Sequence, residues 1–117
     1  MLDYFTDLEY LLERAGDVTG RNLLCVYRNP KTDPSPPEGS RRFAFEGYDV
    51  VDVHGGISAL TNCGGFPLVF ASSELSSRGL LPSLDRAKEV RAALRVRYPT
   101  EPHANCHLWA IFRAVAP

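Results

Sequence analysis

The stretch Tyr48-Asp49-Val50-Val51-Asp52-Val53-His54-Gly55-Gly56-Ile57-Ser58-Ala59-Leu60-Thr61-Asn62 decides how this chain is read. β-Branched and aromatic residues lead into a Gly-Gly pair, and a second alternating run leaves it, the pattern of two antiparallel strands joined by a tight turn. Gly55 and Gly56 lack a Cβ and are free to take the positive φ that such a turn demands. A two-residue turn also fixes the register. It sets Val53 opposite Ser58, Val51 opposite Leu60 and Asp49 opposite Asn62 on one face, with Asp52 opposite Ala59 and Val50 opposite Thr61 on the other.

Working outward, Arg42-Phe43-Ala44-Phe45-Glu46 begins a strand that either continues past Gly47 or stops there, and a glycine in that position signals a bulge or bend. Leu23-Leu24-Cys25-Val26-Tyr27 is apolar on both faces and reads as a buried strand. Residues 29–40 hold four prolines and no aromatic anchor, so they are expected to form a mobile loop. Residues 3–15 read as a helix with Phe5, Leu8, Leu12 and Ala15 on one face, Thr6 or Asp3 as its cap and Gly16 as its stop.

Downstream, Ser72 or Ser73 is expected to cap a short turn around Glu74 to Ser77, ended by Gly79. Ser83 caps a long helix whose buried stripe is Ala87, Val90, Leu94 and Tyr98, and Pro99 stops it. His107 to Val115 is apolar on both faces, which predicts a central strand. The expectation is one α+β domain over residues 1–117, a mainly antiparallel sheet of about four strands with helices packed on one face.

The 117 residues are 44% hydrophobic and 23% charged, ordinary for a chain with one core. Thirteen basic and 14 acidic side chains leave a net charge of −1, which gives no global pull toward nucleic acid or an anionic membrane. The acidic N-terminus and the lack of a long apolar run argue against a signal peptide or a membrane span. Three widely spaced cysteines, Cys25, Cys63 and Cys106, do not make a disulfide framework. The implied location is a reducing cytoplasm.

Three groups of residues invite chemistry. His103-x-x-Cys106-His107, with His54 or Cys63, has zinc-ligand residue types but no C-x-x-C knuckle, and a strand starting at His107 would turn it away from Cys106. Cys63 before Gly64-Gly65 could act as a thiol nucleophile, with His54 or His103 as base and Asp49 or Asn62 orienting it. Arg86, Lys88, Arg91, Arg95 and Arg97 against Glu89 make helix 85–98 basic, a face that could meet phosphates, though no nucleic-acid module surrounds it. A fourth feature suits protein recognition. Residues 47–67 mix Tyr48, His54, Asn62 and Phe66 with carboxylates and glycines around a shaped loop.

Gly47-Tyr48-Asp49-Val50-Val51-Asp52, Ile57-Ser58-Ala59-Leu60-Thr61-Asn62-Cys63-Gly64-Gly65-Phe66-Pro67, Glu74-Leu75, Gly79-Leu80, Arg86-Ala87, Glu101-Pro102-His103-Ala104 and Trp109-Ala110-Ile111-Phe112-Arg113 form a pattern over residues 47–113. It resembles a small family of bacterial proteins similar to the immunity proteins that accompany secreted polymorphic toxins. The resemblance implies a protein that stays in the producing cell and blocks the active site of a cognate toxin domain, with no catalysis and no cofactor of its own. Tyr48, Asp49, Asp52, His54, Asn62, Phe66, Glu74 and His103 are then the candidate partner-binding residues. Asp49, Asp52 and Glu74 would mimic an acidic substrate. The near-neutral net charge departs from the acidic profile of many nuclease inhibitors, so a deaminase or ADP-ribosyltransferase target fits as well.

Overall fold

Alternation along Cys106–Ala114 sets Leu108, Ala110 and Phe112 on one side and His107, Trp109 and Ile111 on the other, so this strand has apolar surface to bury on both. In the computed structural model, which describes residues 24–38, 42–61 and 66–115, it occupies the centre of the sheet. The strands are β1 (Leu24–Arg28), β2 (Phe43–Asp52) and β3 (Cys106–Ala114), in the order β1-β3-β2 and antiparallel throughout. Helix α1 (Leu84–Arg97) lies between β2 and β3 in the sequence. The α+β class and the central place of the last strand follow the sequence reading. The expected first helix over residues 3–15 lies outside the described residues.

α1 begins where Ser83 accepts a hydrogen bond from the Arg86 N–H at 3.3 Å. Leu84, Ala87, Val90 and Leu94, spaced three or four apart, are buried on its inner face. They meet Cys25, Tyr48, Val50, Leu108, Ala110 and Phe112 from one face of the sheet, and these form the main core. The opposite face carries a smaller cluster of Val26, Leu80, Ile111 and Trp109.

The glycine in β2 produces a bulge. The register shifts between Phe45 and Gly47, and Gly47 sits at φ 139°. Phe43 and Phe45 occupy odd positions whereas Tyr48 and Val50 occupy even ones. The inserted residue brings both sets to the side facing α1, where the Phe45 ring meets Tyr48 at 5.0 Å and Phe112 at 5.3 Å.

Among the described residues, two isolated bridges on the outer edge of β2 stand where a fourth strand was expected. Leu81 exchanges backbone hydrogen bonds with Tyr48 at 2.7 and 2.9 Å, and Ser58 bridges Val51. The register expected of the hairpin is corrected by two residues, because Val51 rather than Val53 lies opposite Ser58. The cause is Asp52. Its carboxylate accepts from the N–H groups of His54, Gly55 and Ile57, so residues 53–57 wrap around a side chain and the two-residue turn does not form. Gly56 takes positive φ as expected, at 68°, whereas Gly55 does not.

The short turn after residue 70 is a 3-10 turn at Ser72–Glu74, and neither serine caps it. Glu74 reaches back to accept from the Ala71 N–H at 2.9 Å. In the loop after β1, the described part is tied to the body at Asp33, which accepts from the Tyr48 hydroxyl, and at Lys31, whose carbonyl accepts from Lys88 Nζ at 3.2 Å.

Candidate functional site

The three carboxylates expected to face a partner all have partners within the chain. Asp52 closes β2 directly opposite Cys106, is 4% exposed, and spends its two oxygens on the three amides of the following turn. Those amides hold its pKa below the ordinary carboxylate value, with His103 adding a smaller pull. Asp49, on the other face, accepts from the Ser58 hydroxyl at 2.6 Å and the Val50 N–H at 2.8 Å. Burial nevertheless lifts its pKa. Glu74 grips Arg86 through two contacts, 2.7 and 3.1 Å, while the same guanidinium donates to the Val69 carbonyl at 2.9 Å. The Arg86 bond, then the Ala71 amide, pull the Glu74 carboxyl down to about 2.

Of the remaining candidates, Tyr48 is buried in the main core, and burial followed by the Asp33 contact pushes its phenol pKa up. His103 is buried in the 3-10 turn Pro102–Ala104 and donates from Nε2 to the Ile57 carbonyl at 3.1 Å, with Asp52 Oδ2 at 4.0 Å. Phe66 lies edge-on to both His103, at 5.4 Å, and Tyr98, at 4.9 Å. His54 stands exposed at the tip of the turn. Asn62 and Cys63 lie outside the described residues.

The structure thus gathers Asp52, His103, Phe66 and Cys106 beneath residues 53–57. The arrangement is a brace. The Cys106 thiol donates to the His103 carbonyl at 3.1 Å, away from the imidazole, and burial beside Asp52 pushes its pKa up to about 11. A nucleophilic thiol needs the opposite shift. Iodoacetamide applied to the native chain at neutral pH should therefore leave Cys106 unmodified, and peptide mapping should find it labelled only after unfolding. Rapid native labelling would contradict this placement.

What the brace holds out to solvent is apolar. Val53 is 38% and Ile57 45% exposed on either side of His54, and Leu68, just beyond Phe66, is 68% exposed. An open groove of about 510 Å³ runs beside Phe66, lined by Leu60, Thr61, Pro67 and Phe70 among others. Neither Val53 nor Ile57 stood out in the sequence, where Val53 read as the end of a strand and Ile57 as part of the hairpin connection. The usable signal was the aspartate two residues before His54, because an Asp at that spacing competes for turn amides.

A second concavity of about 510 Å³ lies where β1 ends and is lined by Asn29, Val53, Arg91, Arg95, Asn105, Cys106 and His107. Asn29 is the chain's non-glycine residue with positive φ among those described, at 52°. Its backbone N–H donates to the Leu108 carbonyl at 2.6 Å and its Oδ1 accepts from the Leu108 N–H at 2.8 Å, so one residue replaces the missing stretch of β1. The start of a loop at Asn29 was legible, but the partners of Asn29 across the sheet were not.

Cys106 and His107 face opposite sides of the sheet, opposite Asp52 and Val51 respectively, as the strand alternation predicted. Among the described residues no group of three or more His, Cys, Asp or Glu side chains is arranged to hold a metal. No helix among them is long and apolar enough to cross a membrane. In comparisons with known proteins the chain matches no family model, no curated protein and no solved structure.

Proposed function

We propose that this protein is a binding module of the immunity type, which neutralises a cognate bacterial toxin domain in the cytoplasm by covering its active site. The observation that carries the reading is the braced turn. One buried carboxylate fixes the backbone of residues 53–57 through three amides while Val53, His54 and Ile57 project outward. A recognition loop ordered before binding loses little conformational entropy on docking, and apolar side chains at its rim supply the desolvation energy. Asp52, His103 and Cys106, which in another arrangement could do chemistry, are used to hold that loop. Phe66 and Leu68 extend the surface.

The test is rescue. The chain is co-expressed with a toxin domain recovered as its stoichiometric partner from the native host, and survival of the toxin-producing cells is scored. Survival is expected with the wild-type chain. Ile57→Asp, which places a charge in the centre of the apolar rim, should weaken the complex by at least about tenfold in Kd and abolish rescue while leaving the fold intact. A partner whose toxicity the wild-type chain fails to relieve, or an Ile57→Asp variant that binds as the wild type does, overturns the reading.

A further inference from the structure

The groove at the end of β1 differs in its chemistry from the braced turn. Arg91 and Arg95 lie one helical turn apart on α1 and both line it. Among the described residues neither forms an ion pair with a carboxylate. Each is instead steadied by a single neutral acceptor: Arg91 Nη1 donates to Asn29 Oδ1 at 3.2 Å, and Arg95 Nε donates to the Ala104 carbonyl at 3.4 Å. A guanidinium has five N–H donors in a fixed fork, so each keeps most of them for another partner.

The third wall is His107, whose tautomer follows from its neighbour. Asn29 Oδ1 is committed as an acceptor to Leu108 and Arg91, so the amide nitrogen Nδ2, 2.8 Å from His107 Nδ1, is the donor there. The neutral ring therefore accepts at Nδ1 and carries its proton on Nε2. Burial, then Arg28 on β1 and Arg91 on α1, hold the His107 pKa below its ordinary value. Across the sheet Asp52 is turned away into its own amides. Alternation along β3 also points the Cys106 N–H to the side that β1 has vacated, the side on which Leu108 meets Asn29.

We propose that this groove, which shares only Val53 with the apolar rim of the braced turn, binds the phosphoryl group of a small phosphate monoester. The guanidinium forks of Arg91 and Arg95, the His107 imidazole and Cys106, with its backbone amide, line one concavity. This donor set serves the three terminal oxygens of a phosphate monoester better than the two oxygens of a carboxylate. No acidic side chain lines the groove.

The experiment follows the histidine ring resonances of the full-length chain by NMR while inorganic phosphate, and separately ribose 5-phosphate, is added at constant ionic strength in chloride. The expected result is a saturable shift of His107 with a rise in its pKa, because the bound anion offsets Arg28 and Arg91, while His54 stays unchanged. Arg95→Gln should weaken phosphate binding by about tenfold or more, the loss of a charge-assisted contact. Asn29→Asp keeps the side chain's shape and tolerates the same φ, but it sets a carboxylate against Arg91. It should abolish phosphate binding and raise the His107 pKa without ligand, so a folding failure in one variant leaves the other as a test. A His107 response that chloride reproduces, or phosphate affinity unchanged in both variants, overturns the proposal. So does a single-stranded oligonucleotide that binds more tightly than ribose 5-phosphate with a steep salt dependence, which would make α1 a nucleic-acid face.

Discussion

Asp52→Ala destabilises the protein by about 3 kcal/mol or more and removes the shape of residues 53–57, an expected effect larger than that of most single substitutions. The carboxylate is buried, and the substitution strips the N–H groups of His54, Gly55 and Ile57 of their common acceptor. A hydrogen bond to a charged group contributes about 1.5–3 kcal/mol, and one carboxylate is serving three donors. Water reaching the opened turn recovers part of that loss. Asp52→Asn restores less than its shape suggests, since its amide nitrogen would confront an N–H as a second donor. Urea unfolding of the two variants against the wild type measures the difference.

The same group gives a pH signature. Its folded pKa lies below the ordinary carboxylate value, so its contribution to stability is fully present above the unfolded value of about 4 and is lost as pH falls through the folded value. Glu74, pulled from 4.5 to about 2, adds to the loss with the same sign. The acid side of the stability curve should accordingly be shallower in Asp52→Ala than in the wild type. A variant whose stability and acid limb both match the wild type would show that the turn does not depend on this carboxylate.

Asp52 also marks where sequence reading reaches its limit. Elements set by their own residues were legible. Ser83 before an apolar stripe gave α1, the two apolar faces of Cys106–Ala114 gave a central strand, and Gly47 gave a bulge. The turn at Gly55-Gly56 was misread because backbone propensity and a side-chain acceptor competed, and only burial behind His103 decides between them. Pairing of Leu81 with the edge of β2 depends on a contact across more than thirty residues, for which local pattern carries no information.

The candidate site divides in the same way. Carboxylates read from composition as surface groups turned out to serve backbone amides, a serine hydroxyl or an arginine, since polar residue type does not reveal burial. Arg91 and Arg95 were visible as basic residues on one helix. That they share a groove with Asn29 and His107 is a product of where β1 stops, which the proline-rich segment signals only approximately.

Gly47→Val should cost about 3–5 kcal/mol, enough to bring a domain of this size close to unfolding. Gly47 holds φ 139°, which a β-branched residue adopts only under strain. Space is lacking as well. A Cβ there would lie 2.8 Å from Leu80 Cβ and 3.0 Å from the Leu81 carbonyl oxygen, the group that accepts from the Tyr48 N–H and closes the edge of β2. Escape by flattening the bulge is also costly. The bulge is what lets the buried Phe43, with Phe45 at its rim, share a face with Tyr48 and Val50, so a regular strand would turn either Phe43 or the Tyr48 and Val50 pair out of the core. Gly47→Ala should fall between, since it removes the β-branch but keeps both contacts. Thermal melts should rank wild type above Gly47→Ala above Gly47→Val. Phosphate binding in the distant groove should persist in any fraction of Gly47→Ala that remains folded. If Gly47→Val melts with the wild type, then Leu80 and Leu81 are able to move aside, and the bulge serves the strand's curvature rather than the alignment of its two apolar halves.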